Sequence, residues 1–324
     1  MLRSCNFELK EEYFALTANC INYADPAERS ACFTDREEGN EEGKSNCIDQ
    51  RDARINVCEI LGENKYDPEG LLDTDNFVAE PDASNQYFSL LPGHTYFARA
   101  GEYFEELIVV TVTDQVRDFL GVNCRLVVDI VLVENNGELE VLEITDDYYA
   151  QALNGDVHSC GEVSRNFEGG ILVDLEGSFE AGRDLAKLGI LIKANPMTGD
   201  AHRQEFLLGD AEDAIRYLAG AENTTSVGAG EGGENPNFPC DGFCVKTEEF
   251  IPPEPYSGEF KYFIAGIGFV LGVSLEDGEP DGERDELVCN GDSLVVLNDL
   301  SCGIDDPISM LEQLCELSPA AFCD

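Results

Sequence analysis

Six acidic residues crowd one short stretch of this chain: Asp277, Glu279, Asp281, Glu283, Asp285 and Glu286, set around Pro280 and Gly282. The spacing Asp-x-Glu-x-Asp-Gly puts alternate oxygens on one side of a turn that glycine tightens, as in the first half of a calcium loop. Where such a loop closes on a bidentate Glu this chain has Val288, so it is not an EF-hand. Smaller groups are Asp146 with Asp147, and Asp210 with Glu212 and Asp213. Charge runs ordinarily face water. Converging so many carboxylates without a counterion is costly, however, so Ca²⁺ is expected at one or more of Asp277, Glu279, Asp281, Glu283, Asp285, Asp146, Asp147, Asp210 and Asp213. No motif spells out other chemistry. G-x-S-x-G, H-E-x-x-H and the P-loop are absent, and His94, His158 and His202 are far apart. The expectation is therefore a protein that is not an enzyme. With 66 acids no carboxylate pair for glycoside hydrolysis can be singled out.

The second chemical signal is sulfur. There are 13 cysteines and no C-x-x-C pair, which favours disulfides in an exported protein over a metal site. Folding the N-terminal segment as an antiparallel helical hairpin about residue 26 sets Cys20 opposite Cys32 and Cys5 opposite Cys47, because two arms of equal rise share one centre. Cys240 and Cys244 close a small loop, Cys289 and Cys302 can staple a hairpin, and Cys315 and Cys323 can bridge in the tail. Cys124 and Cys160 complete the set. Cys58 is left over, as a free or intermolecular thiol.

Charge narrows the partners. The formal net charge is −46, from 66 acidic and 20 basic residues. Such a chain repels nucleic acid and anionic membrane surfaces, and it needs screening, bound divalent cations or full solvation to stay compact. No apolar run reaches the length of a membrane span. Met1-Leu-Arg-Ser-Cys5 lacks the apolar core of a signal peptide, so export is expected of a chain that starts after processing.

These residues must be positioned by a core, and 43% hydrophobic content supplies one. Residues 1–62 read as the cysteine-stapled helical hairpin, with Asp25-Pro26 starting its second arm, Gly39 and Gly43 as places where that arm breaks, and Gly62 as its cap. Residues 63–86 are an acidic connector. Residues 87–273 read as an antiparallel β domain. Its strands are Glu106–Val112, Arg125–Val133, Glu138–Ile144, Asp146–Gln151, Val157–Glu162, Ile171–Glu176 and Glu259–Val273, with Asn135-Asn136-Gly137, Asn154-Gly155 and Gly169-Gly170 as tight turns. Asp210–Leu218 reads as a short helix and 219–239 as a linker or long loop. Residues 274–324 hold the acidic turn, a hairpin and a cysteine-rich tail ending in a helix over Pro307–Phe322. The fold class is mainly β with α: a meandering antiparallel sheet, sandwich or open barrel, plus the stapled hairpin.

Three stretches resemble a group of exported, β-rich bacterial proteins: Y-F-S-L-L-P-G-H-T-Y at 87–96, Asp147-Tyr148-Tyr149-Ala150-Gln151 with Gly155, and K-Y-F-I-A-G-I-G-F-V-L at 261–271. A-N-P-M-T-G-D-A-H-R-Q-E-F at 194–206 adds to the likeness. Ser89 departs from the group's usual Pro, and the chain has no Trp. The resemblance spans roughly 87–273, and it implies export and an antiparallel β fold but no activity.

The leading expectation is thus an exported, acidic, disulfide-bonded, Ca²⁺-binding structural or interaction protein. It would lie outside the cell or on its surface and self-associate, as a filament-type subunit would, through strand addition. The alternative is a periplasmic or surface binding module whose curved sheet holds an apolar ligand. A Ca²⁺-dependent hydrolase ranks last.

Overall fold

The computed structural model describes residues 1–62, 66, 74–82, 84–101, 103–135, 138–292, 302, 304 and 307–323. Most of the expected connector, the central residues of the Asn135–Gly137 turn and the stretch after Asp292 lie outside these residues.

Two helices open the chain, α1 (Leu2–Ile21) and α2 (Pro26–Leu61). The Asp25 carboxylate caps α2 by accepting from the amides of Ala27 (2.7 Å) and Glu28 (3.0 Å), and Pro26 fits the first turn. Disulfides Cys5–Cys47 and Cys20–Cys32 join the arms at base and tip. The second arm does not break at Gly39 or Gly43. At Gly43 a Cβ would lie 2.4 Å from a methyl of Leu9, so the missing side chain lets the arms approach and the packing outweighs glycine's low helix propensity.

The rest is mostly sheet. Its first half runs β1 (His94–Ala100), β2 (Glu106–Phe119), β3 (Val122–Asn135), β4 (Glu138–Gln151), β5 (Val157–Glu168), β6 (Ile171–Asp174) and β7 (Phe179–Glu180). Short pieces follow: β8 (Lys187–Leu188), β9 (Ala201–Arg203) and β10 (Glu205–Phe206). Then come β11 (Ala214–Ala219), β12 (Cys244–Phe250), β13 (Ser257–Ile264), β14 (Gly268–Glu276) and β15 (Glu279–Asp292). Thirteen of them form one antiparallel sheet in the order β6-β5-β4-β3-β2-β1-β15-β14-β13-β12-β11-β9, with β7 beside β5. The path is open. Residues 187–192 cross the gap: Gly189 and Ser159 exchange backbone bonds, Ile190 donates to the Arg203 carbonyl at 2.8 Å, and β8 pairs with β10. The sheet therefore curls until strands near its two ends hold the same segment.

Three sequence expectations are corrected. Residues 214–219 are strand β11, not part of a helix, because Ala214, Ile215 and Tyr217 are buried between β9 and β12. The acids after Val273 do not form one long turn. Asp277-Gly278 makes the turn, and β15 begins at Glu279 to pair with β14 and β1. Glu259–Val273 is two strands, reversed at residues 265–267. The 219–239 segment is a packed loop: the Asn235 amide bridges the carbonyls of Val270 (2.7 Å) and Leu287 (2.9 Å), tying it down on adjoining strands.

Strand alternation gives the sheet two different faces. On β3, Leu126, Val128, Ile130 and Leu132 pack with Phe97, Leu107 and Val109 beneath the C-terminal helices, where Met310, Leu314 and Phe322 cover them. Val127 and Asp129 point the other way, into the concave side. Cys124–Cys160 ties β3 to β5 across β4, while Cys240–Cys244, Cys289–Cys302 and Cys315–Cys323 close shorter spans.

The hairpin docks on the sheet through an apolar contact of Val57 and Leu61 with Ala201 and Ala214 and through a buried ion pair. The Arg54 guanidinium grips the Glu212 carboxylate (Nη2–Oε1 2.6 Å, Nε–Oε1 3.0 Å), and the Tyr66 hydroxyl donates to the same carboxylate. Burial pulls the Glu212 pKa upward, but the bonds from Arg54 and Tyr66 hold it below the ordinary value. A depressed carboxylate contributes stability that is present above the ordinary carboxylate range and lost as pH falls through the folded pKa.

Glu212→Gln should cost about 3 kcal/mol, since it leaves a buried guanidinium short of its counter-charge. Urea unfolding measures that loss, and limited proteolysis should show the hairpin released first. Removing the 36-residue cross-link as Cys124→Ala/Cys160→Ala should cost about 3–4 kcal/mol on loop closure. Removing Cys315–Cys323, which spans 8 residues, should cost less.

Candidate functional site

The concave face encloses a cavity of about 250 Å³, room for roughly eight waters at liquid density. One part of its wall is apolar: Phe88, Tyr96, Tyr149, Phe263, Phe269 and Leu287 among others. Phe88 lies edge-on to Tyr149 with centroids 5.3 Å apart and stacks on Tyr96 at 6.2 Å, while Phe263 meets Phe269 edge-on at 6.1 Å. The other part is charged: Asp129 from β3, Asp147 from β4, Glu249 from β12, Lys261 from β13 and Asp285 from β15, with Gln204 between.

Register explains how strands far apart in sequence deliver these side chains to one place. Asp147 sits opposite Val127 on β3 and Glu162 on β5. Glu249 sits opposite Glu259 on β13, Lys261 opposite Gly272 on β14, and Gly272 opposite Asp285 on β15. At Gly272 a Cβ would come within 2.1 Å of the Glu259 Oε1 and 3.3 Å of the Asp285 Cβ, so the glycine leaves room for the Glu259 carboxylate where it reaches Lys261.

Beyond the lining, the charged belt continues through Glu162, Glu205 and Asp213. Glu162 and Glu205 hydrogen-bond to each other, and both feel Asp213. Desolvation is the largest cause of every upward shift among these carboxyls, with neighbouring carboxylates adding to it. It puts Asp129, Asp147 and Glu205 well above the ordinary carboxylate range, Asp147 with help from Glu162 and Asp129 with help from Asp147. Glu162 is pushed to about 8, and Asp213, beside Glu249, to about 7. Burial and Glu249 raise Glu259 to about 7 against the pull of Lys261, and Asp285 is raised too. Lys261 is the cation among the described lining residues. It pairs with Glu249 at 2.8 Å and Glu259 at 3.1 Å, which outweighs the burial that would discharge it and holds its pKa well above normal. The Asp129 Oδ1 is out of contact with solvent and has no hydrogen-bond partner.

The acids singled out in the sequence are split by this arrangement. Asp147, Asp213 and Asp285 join the belt. Asp277, Glu279, Asp281 and Glu283 lie exposed on the β14–β15 hairpin, where Asp281 accepts from the Ser274 hydroxyl and the Glu283 amide at 2.9 Å each. Asp146 points away from Asp147 and pairs with Arg165 at 2.9 Å, and Asp210 sits on an exposed turn. Among the described residues no three His, Cys, Asp or Glu side chains converge to hold a metal ion. Cys58 is free and exposed. Sequence reading missed Asp129, Glu162, Glu205, Glu249, Glu259 and Lys261. The available signal was the isolated charge in an apolar strand: Asp129 interrupts Leu126-Val127-Val128 and Ile130-Val131-Leu132, and Glu259 and Lys261 alternate with Phe260 and Tyr262.

In comparisons with known proteins, no family model and no curated protein matches this chain. Two solved structures are similar in part. One is a Bacteroides fragilis protein described as exported with a YmcC-like fold, at 12% identity and a TM-score of 0.35, covering 64% of this chain and 99% of that one. The other is a Parabacteroides distasonis protein described as a lipoprotein, at 10% identity and a TM-score of 0.33, with the same coverage. At such scores the likeness says nothing of function.

The raised carboxyls set a pH dependence. An acid whose folded pKa exceeds its unfolded value leaves stability intact below the unfolded pKa and erodes it as pH rises through the folded one. Glu162→Gln should therefore stabilise the protein near pH 9 and change it little near pH 5, as thermal melts at the two pH values will show.

Proposed function

We propose that this chain is an exported, non-enzymatic binding module that takes a small ligand in the concave face of its sheet. The observation carrying this reading is the cavity itself. A curled sheet whose inner face were only structural would fill with side chains, as its outer face does beneath Met310 and Leu314. Here the inner face keeps about 250 Å³ free between an aromatic wall and a charged one, the usual composition of a ligand site. Export is supported by the six disulfides among the described residues, a density suited to an oxidising compartment. A calcium role draws support from net charge alone.

Self-association has one specific observation in its favour. Strand β6 ends the sheet with Ile171, Leu172 and Val173 exposed, Ile171 at 70%. An apolar edge strand with unpaired backbone is a template for strand addition by a second copy.

Filling the cavity should abolish binding without unfolding the sheet. Ala98 lines it from β1, and Ala98→Leu should lose the melting-temperature rise that small aromatic probes give the native chain. A native chain that no small aromatic or aliphatic probe stabilises would count against the reading. Separately, Val173→Lys should shift any concentration-dependent dimer to monomer in sedimentation.

A further inference from the structure

We infer that the cavity selects a small organic cation, an ammonium group carried on an apolar body, seated with its charge toward Asp129, Asp147 and Asp285 and its body against the aromatic wall. This rests on the binding-module reading and names the ligand class for it.

Charge balance comes first. Four of the lining residues are acids, Asp129, Asp147, Glu249 and Asp285, against one base. Lys261 is committed to Glu249 and Glu259. The three aspartates on β3, β4 and β15 are left to face the cavity without an ion pair to it. Asp147 has a hydrogen bond from Tyr149. Asp129 is the most exposed of the three to this deficit: its Oδ1 has lost water and gained nothing in exchange. A buried acceptor in that state costs free energy until a donor arrives. A neutral apolar ligand would leave it unpaired, and an anion would add to the repulsion. An ammonium donor satisfies it and offsets the like charges around it.

The aromatic part of the wall argues for the rest of the ligand. Phe88, Tyr96, Tyr149, Phe263 and Phe269 present ring surface to the same space. Such rings take up apolar groups and attract cations over their faces. A bare divalent ion would use neither the rings nor the volume, and among the described residues no three acids are placed to ligate one metal ion. The size of the space suits a compact amine or quaternary ammonium.

Proton linkage supplies a signature. The same acids are held toward their neutral forms by burial and by one another. A bound cation favours their charged forms, so binding should release protons and tighten as pH rises.

The test is isothermal titration of the full, oxidised chain at low salt near pH 8. The probes are 2-phenylethylammonium, tetramethylammonium and 1,4-diaminobutane, with 2-phenylethanol and phenylacetate as neutral and anionic counterparts and CaCl₂ as a metal control. At least one ammonium should bind ten-fold or more tighter than 2-phenylethanol. It should release protons in buffers of different ionisation heat, and phenylacetate should not bind. Asp129→Asn should erase the preference for ammonium while leaving 2-phenylethanol binding in place, with Asp285→Asn as a second variant if the first does not fold. Equal or tighter binding of 2-phenylethanol overturns the cation assignment and leaves the binding-module reading standing. Displacement of the ammonium by sub-millimolar Ca²⁺ overturns it in favour of a metal site. No binding by any probe overturns both.

Discussion

Like charges gathered on the inside of a curved sheet repel one another through a medium that screens them poorly, and each has also given up water. This constraint governs the protein. Asp129, Asp147, Glu162, Glu205, Asp213, Glu259 and Asp285 all resist ionisation, and Lys261 relieves only part of the load. Other contacts hold the sheet in its curl. Apolar packing on the convex face under the C-terminal helices is one, the Cys124–Cys160 bridge between β3 and β5 is another, and the segment 187–192 holding both β5 and β9–β10 is a third.

Much of the scaffold was legible in the sequence, and the reason is local. The helical hairpin could be read because Cys5, Cys20, Cys32 and Cys47 are spaced about one centre, and a helix has a fixed rise. Tight turns at Asn154-Gly155 and Gly169-Gly170 were visible because both glycines take positive φ there, Gly155 at 92° and Gly170 at 76°. What was not legible depends on distant partners. Residues 214–219 form a strand because β9 and β12 flank them, and α2 runs past Gly43 where it packs against Leu9 of α1 between the two disulfides.

The site was less legible than the fold. Its carboxylates come from β3, β4, β12 and β15, and nothing in their spacing along the chain brings them together. Curvature and register do. The dense run after Val273 drew attention by its density, yet of its acids only Asp285 lines the cavity: Asp277, Glu279, Asp281 and Glu283 lie exposed, and Glu286 is paired with Arg284. In a chain of this composition crowding is a poor guide to a site. A solitary acid inside an apolar strand, such as Asp129, is a better one.

The convex core and the Cys124–Cys160 bridge thus hold the curled sheet around a small, partly aromatic, electrostatically unbalanced space. A ¹³C-carboxyl NMR titration of the oxidised native chain tests that claim most directly. It should show a set of carboxyls titrating well above the usual range, with Glu162 near its expected midpoint of about 8 and Asp213 and Glu259 near about 7. If every side-chain carboxyl instead titrates in the ordinary range, at about pH 3.9–4.3, the inner face is no more than solvated surface and the account fails.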